Sequence, residues 1–133
     1  MENESSAPKK REPIVFEADG MCLRVDHRRG VGGDDGVTFD VTVAGDEAGA
    51  RILRFDCFGK TPYYHIGPAG KDAVHDMIAE GIADPVRWTL DPLKSRLNAL
   101  LTQAGYEEIA KRIDQKAIAD SLSQVEPDIF AKV

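Results

Sequence analysis

Two stretches of this chain alternate strictly between apolar and polar positions. Met21, Leu23 and Val25 are interleaved with Cys22, Arg24 and Asp26, and Val37, Phe39, Val41 and Val43 with Thr38, Asp40 and Thr42. A period of two marks a strand with one buried and one wet face, so both stretches predict strands, joined by the glycine and aspartate turn between Gly30 and Gly36. A third run, Arg51 to Phe58, passes through Gly59-Lys60-Thr61-Pro62 into the aromatic run Tyr63 to Ile66. If residues 59 to 62 form a four-residue hairpin loop, Phe58 faces Tyr63, Asp56 faces His65 and Phe55 faces Ile66. Leu53, Phe55, Cys57, Tyr64 and Ile66 then share one face, and Arg54, Asp56, Phe58, Tyr63 and His65 the other. A further short strand fits Ile14 to Glu17, and the whole reads as an antiparallel meander.

The period changes after Pro68. Val74, Met77 and Ile78 have helical spacing, but Gly81 and the shortness of the segment leave residues 71–83 open between helix and loop. Asp84-Pro85 and Asp91-Pro92 each put a capping carboxylate before a proline at a first helical position, so either two helices start here or one is kinked. Leu93, Leu97, Leu100, Leu101 and Ala104 form an apolar stripe that Gly105 ends. Tyr106, Ile109, Ala110 and Ile113 predict a second helix. Ile118, Leu122 and Val125 predict a third, capped by Asp114 and ended by Glu126-Pro127.

Strands followed by helices predict an α+β domain: an N-terminal antiparallel β-meander of three to five strands, covered on one face by about three C-terminal α-helices. The expected boundaries are a disordered arm at residues 1–13 and one domain at 14–133, with the sheet at about 14–68 and helices at about 72–130. The 133 residues suffice for one core.

Composition narrows the function classes. A net charge of -6 argues against nucleic acid as a partner, because phosphate affinity needs clustered Lys and Arg. No apolar run approaches the roughly 20 residues of a bilayer-crossing helix, so no membrane partner is expected. The arm MENESSAPKKREP has no apolar segment of the kind a secretory signal carries. Cys22 and Cys57 make neither a disulfide framework nor a zinc quartet, and both read as reduced, buried small hydrophobes. A cytoplasmic location is the expectation.

The strongest chemical candidate is the pair Asp56 and His65, since a carboxylate facing an imidazole can fix its tautomer and raise its basicity. Tyr63 could add a hydroxyl and Arg54 an anion-binding charge; the plain alternative is a stabilising cross-strand contact of about 0.2–1 kcal/mol. A metal would need further ligands from His27, His75, Asp26 or Asp40, none at a recognised spacing, and no metal or other cofactor is implied. Cys57 as a nucleophile activated by His65 fails because the two point to opposite faces. Phe58, Tyr63 and Trp88 read either as anchors of a partner surface or as a second small core.

The strings RFDCFGKTPYYHI and ADPVRWTLDPLKSRLNALLTQAG resemble an uncharacterised family of small bacterial proteins, a domain of unknown function. In that family a Phe-Asp-Cys-Phe strand is followed by Pro, an aromatic or His, Tyr and His. The resemblance covers about Arg51 to Ile113 and implies no reaction. It matches at Asp56, Pro62, Tyr64 and His65; Tyr63 stands where the family pattern allows a His, which weighs against a two-histidine metal site. The leading expectation is a non-catalytic accessory or interaction protein that homo-oligomerises or docks on a larger enzyme. The competing one is a small enzyme or ligand- or metal-binding protein, with His65 as base or ligand, Asp56 as orienter, Arg54 and Tyr63 holding an anionic substrate, and its pocket between the hairpin and the Trp88 segment.

Overall fold

The computed structural model describes residues 12–45, 50–67 and 73–133. Six strands come first: β1 (Ile14–Ala18), β2 (Met21–Arg29), β3 (Asp35–Val43), β4 (Arg51–Phe58), β5 (Tyr63–Ile66) and β6 (Ala73–Asp76). They form one antiparallel sheet whose spatial order is the sequence order, a pure meander. Four helices follow: α1 (Pro85–Ser95), α2 (Leu97–Gln103), α3 (Glu107–Arg112) and α4 (Gln115–Ala131). The fold is α+β, with one strand more than the three to five expected. Of the expected arm at residues 1–13, all but Glu12 and Pro13 lies outside the described residues.

Period-two alternation does what it promises. Met21, Leu23, Val25, Val37, Phe39, Val41, Leu53 and Phe55 are all buried on one face. There they share a core with Leu93, Leu97, Leu101, Leu122 and Ile129 of the helices. Burying an aliphatic or aromatic side chain contributes about 1.5–3 kcal/mol, so the sheet gains most of its stability from this helical cover. The register of β3 on β4 shifts between Val41 and Thr42, which pair with Leu53 and Arg51. Ile52 is the extra residue, and it too is buried.

Residues 73–76 are a strand, and 77–81 a turn, where the local spacing left helix or loop. Strand β6 forms because β5 offers an open edge, with His65 opposite Val74 and Tyr64 opposite His75. The Asp76 carboxylate then accepts from the Ile78 N–H at 2.9 Å and ends the strand. Met77 alone of the three periodic apolar residues is buried; Ile78 and Val74 are exposed.

Asp84 and Asp114 cap α1 and α4, accepting from the N–H groups of Arg87 and Ala117. Asp91-Pro92 starts no helix: α1 runs through it and breaks at Arg96, in non-helical conformation at φ −151° and ψ 37°. The Gln115 side chain donates to the carbonyls of Leu93 and Lys94 at 3.1 and 2.9 Å, satisfying that broken end. Helix α4 also continues through Pro127 instead of stopping at it. Ile129, fully buried two residues on, offsets the hydrogen bond that proline removes. At the end of α2, Gly105 takes φ +95°, as its stop position requires.

Candidate functional site

Helices α1 to α4 lie against the apolar side of the sheet, and its other face carries most of the polar strand residues, His27, Asp35 and His75 having the parity of the helix side. The hairpin register there is two residues away from the four-residue-loop expectation: Asp56 pairs with Tyr63, Phe55 with Tyr64 and Arg54 with His65. A shift of two keeps parity, so each side chain stays on its expected face.

The result is two transverse rows. Asp26, Thr38, Asp56 and Tyr63 lie side by side across β2 to β5, and Arg24, Asp40, Arg54 and His65 make the neighbouring row. Charges alternate from Arg24 through Asp40 to Arg54 in the second row, and diagonal contacts tie the rows together. Arg54 Nε lies 3.2 Å from Asp56 and 3.5 Å from Asp40. Arg28 reaches Asp40 at 3.8 Å, and Arg24 reaches Asp26 at 3.3 Å. His65 Nε2 stands 4.0 Å from Asp56 Oδ2, an ion-pair distance beyond hydrogen-bond reach.

Asp56 is only 2% exposed although it sits on the polar face. Burial pushes its carboxyl above the usual range, and His65, Arg28 and Arg51 pull it back only in part. Asp40 behaves alike: burial raises it, Arg28 opposes and Asp56 adds. Tyr63 is also raised, by burial first and then by Asp56. The ring of Tyr63 meets His65 edge-on at 5.2 Å and Phe58 at 6.1 Å.

Phe58 is not the exposed aromatic its parity implied, being 7% exposed. Its ring folds over Gly30, where a Cβ would come within 2.7 Å of it. Trp88 lies on the other side of the sheet, 5.1 Å from the Tyr64 ring and 6.3 Å from that of Phe55. Arg54, Asp56, Tyr63 and His65 are therefore brought together, and Trp88 is not with them. A cleft of about 510 Å³ does open between the hairpin and the start of α1. Phe58, Pro62, Ile82, Val86 and Phe130 are in its lining; Asp56, Tyr63 and His65 are not.

The other metal-ligand candidates are scattered. His27 Nδ1 lies 2.6 Å from the Lys132 carbonyl and Nε2 lies 2.9 Å from Asp35. His75 stacks on Tyr64 at 4.6 Å, with Nδ1 3.3 Å from Glu80. Among the described residues no group of three or more His, Cys, Asp and Glu is placed to hold a metal ion. Cys57 is buried and bonded to Thr89 at 3.5 Å; burial pushes its thiol up to about 12. Cys22, on the polar face, is only half-buried.

The family model described as Domain of unknown function (DUF7700) matches residues 15–129, from β1 to near the end of α4. The chain belongs to the DUF7700 family. No curated protein and no solved structure matches it.

In this DUF7700 chain the polar rows can do two things. They present a fixed pattern of charge to whatever lies on the sheet, and they hold protonatable carboxyls next to an imidazole and a phenol. Sequence reasoning missed Asp34, a buried carboxylate that accepts from the backbone of Lys60 and Thr61 and so anchors the hairpin loop. No local signal marks it, because its partners lie in a distant loop. It also missed Thr38, buried between Asp26 and Asp56, although its parity already put it in that row.

Proposed function

We propose that this protein is a small non-catalytic recognition module that binds through the polar face of its sheet, to a second copy of itself or to a larger protein. The observation that carries this reading is the one-sided cover. Helices α1 to α4 pack on the apolar face, while the opposite face holds an ion-paired pattern of Asp40, Arg54, Asp56 and His65 with Tyr63 beside it. Tyr and Arg are the residue types that dominate binding energy at interfaces, and charges held in place beforehand lose less entropy when a partner arrives. Val74, 60% exposed at the edge of the same face, extends the pattern with an apolar contact. A cytoplasmic setting fits two free thiols, and among the described residues no helix is long and apolar enough to cross a membrane.

Native mass spectrometry of the full chain purified from its own cells tests the reading. The expected result is a mass above that of the monomer, reduced to the monomer by Tyr63→Ala or Val74→Glu without change in melting temperature. A monomer in every sample contradicts it.

One observation favours a second reading, a small enzyme or ligand-binding protein. The buried Asp56, with its raised carboxyl, stands beside His65 and Tyr63, an arrangement able to move a proton. Here the same native spectra show a bound small molecule or metal on the wild type that His65→Ala loses.

A further inference from the structure

Among the described residues β1 and β6 each pair with a neighbour on one side only, and the two edges differ. Strand β6 is four residues long and runs at once into the Asp76 turn. Strand β1, Ile-Val-Phe-Glu-Ala, has no lysine, proline or bulge between Ile14 and Ala18, and of the devices by which proteins protect a free edge it carries one charge, Glu17. Its composition is strongly strand-forming, and Val15 is 49% exposed.

The hairpin turn settles which backbone groups face outward. Asp19 and Gly20, at φ +54° and +94°, form a two-residue turn closed by the pair Ala18 and Met21. In such a hairpin the closing pair is hydrogen-bonded, and bonded pairs recur at every second residue. The N–H and C=O groups of Val15 and Glu17 are therefore the ones aimed at the open edge.

A groove of about 300 Å³ runs beside this edge, between β1 and α4. Phe16, Ala18, Ala117 and Ile118 supply its apolar surface, and among the described residues each charged residue of its lining is a carboxylate: Glu17, Asp19 or Asp114. Asp19 accepts from the Asp114 N–H and Asp114 from the Ala117 N–H, at 3.3 and 3.1 Å, which leaves lone pairs on both carboxylates for a cation.

We infer that β1 and α4 form a docking site for an extended segment of a partner protein, which adds a seventh strand to the sheet, seats alternate apolar side chains in the groove and places a Lys or Arg against Asp19 and Asp114. Strand addition supplies main-chain affinity and the groove supplies choice of side chain. The acidic lining selects a basic end, and a second copy of β1, which carries Glu17 and precedes Asp19, would bring like charges together. This surface is separate from the polar face of Arg54 and His65, so it goes beyond the proposed function.

The test is an NMR titration of the full chain with a blocked peptide of alternating valine and threonine ending in lysine on each side. The expected result is saturable binding, with shifts centred on the amides of Val15 and Glu17 and on residues 117–121, unaffected by Tyr63→Ala. Methylating the peptide backbone nitrogens that face β1, or replacing its lysines by glutamates, weakens binding at least tenfold. The Glu17→Pro chain, which lacks one edge donor, shows the same loss. Absence of saturable binding to the wild type, equal binding of the methylated or the glutamate peptide, or self-association through β1 in place of peptide binding overturns the inference.

Discussion

Thr61 donates twice to Asp34, through its backbone N–H at 2.9 Å and its hydroxyl at 3.1 Å, across 27 residues of sequence. Lys60 and Asp35 add their N–H groups at 3.0 Å each. The connection after β2 is thereby fastened to the loop between β4 and β5, the loop that sets the hairpin register. Burial alone would raise the Asp34 carboxyl, but the hydrogen bonds from Thr61, Lys60 and Asp35 outweigh it and hold the group below its ordinary 3.8. A depressed carboxyl stabilises the fold above its unfolded value, and that contribution disappears as pH falls through the folded value. Asp34→Ala is predicted to lower the melting temperature near neutrality, with the gap to wild type closing in strong acid. A gap that stays constant with pH contradicts the clamp.

Arg54 is the shared partner of two carboxylates, Asp40 and Asp56. Removing it leaves both largely buried and facing each other, so Arg54→Met should cost about 3 kcal/mol in urea denaturation, the range for breaking a buried pair. Adding Asp56→Asn to that variant should recover part of the loss, because one of the two stranded charges is gone. Simple additivity of the two changes contradicts the coupling.

The raised carboxyls act with the opposite sign to Asp34. Asp40 and Asp56 bind protons more readily folded than unfolded, so acidification from neutrality toward the ordinary carboxylate range stabilises the fold through them. Thermal melts across that window should show this gain in the wild type and a smaller gain in Asp56→Asn. The same gain in both proteins contradicts the assignment.

Thiol chemistry separates the cysteines. Cys57, buried and with its thiol pushed up to about 12, offers almost no thiolate at neutral pH. Labelling of the folded chain with a thiol reagent is predicted to fall on Cys22, with Cys57 reacting only in denaturant. Rapid labelling of Cys57 in the folded state contradicts its place on the apolar face.

Strands β3 and β4 approach unusually closely at Gly36, where a Cβ would stand 2.3 Å from the Cys57 carbonyl oxygen. Gly36→Ala must push the strands apart, at about 1–3 kcal/mol, the range for overpacking. Chemical denaturation measures it, and an unchanged midpoint contradicts the close approach.

What the chain makes legible is what depends on near neighbours. Alternation in β2, β3 and β4 marks both faces of the sheet, and because parity survives a shift of two, Asp56 and His65 share a face even though Tyr63, not His65, is opposite Asp56. Capping carboxylates mark the starts of α1 and α4. What stays hidden depends on distant partners. Strand β6 exists only beside β5, Phe58 is buried by Gly30, and Asp34 finds its donors in another loop. Pro127 misleads because the burial of Ile129 outweighs a local stop signal. Trp88 joins the apolar face because α1 lays it on Tyr64, a matter of helix rotation that residue type does not reveal.

Recognition through the polar face of the sheet is tested most directly by hydroxyl-radical footprinting of the chain in its native assembly and after dissociation. Protection of Tyr63 and His65 in the assembly, with Ile78 and Phe130 oxidised equally in both, is the predicted result. Equal oxidation of Tyr63 and His65, with protection on the helices instead, contradicts it.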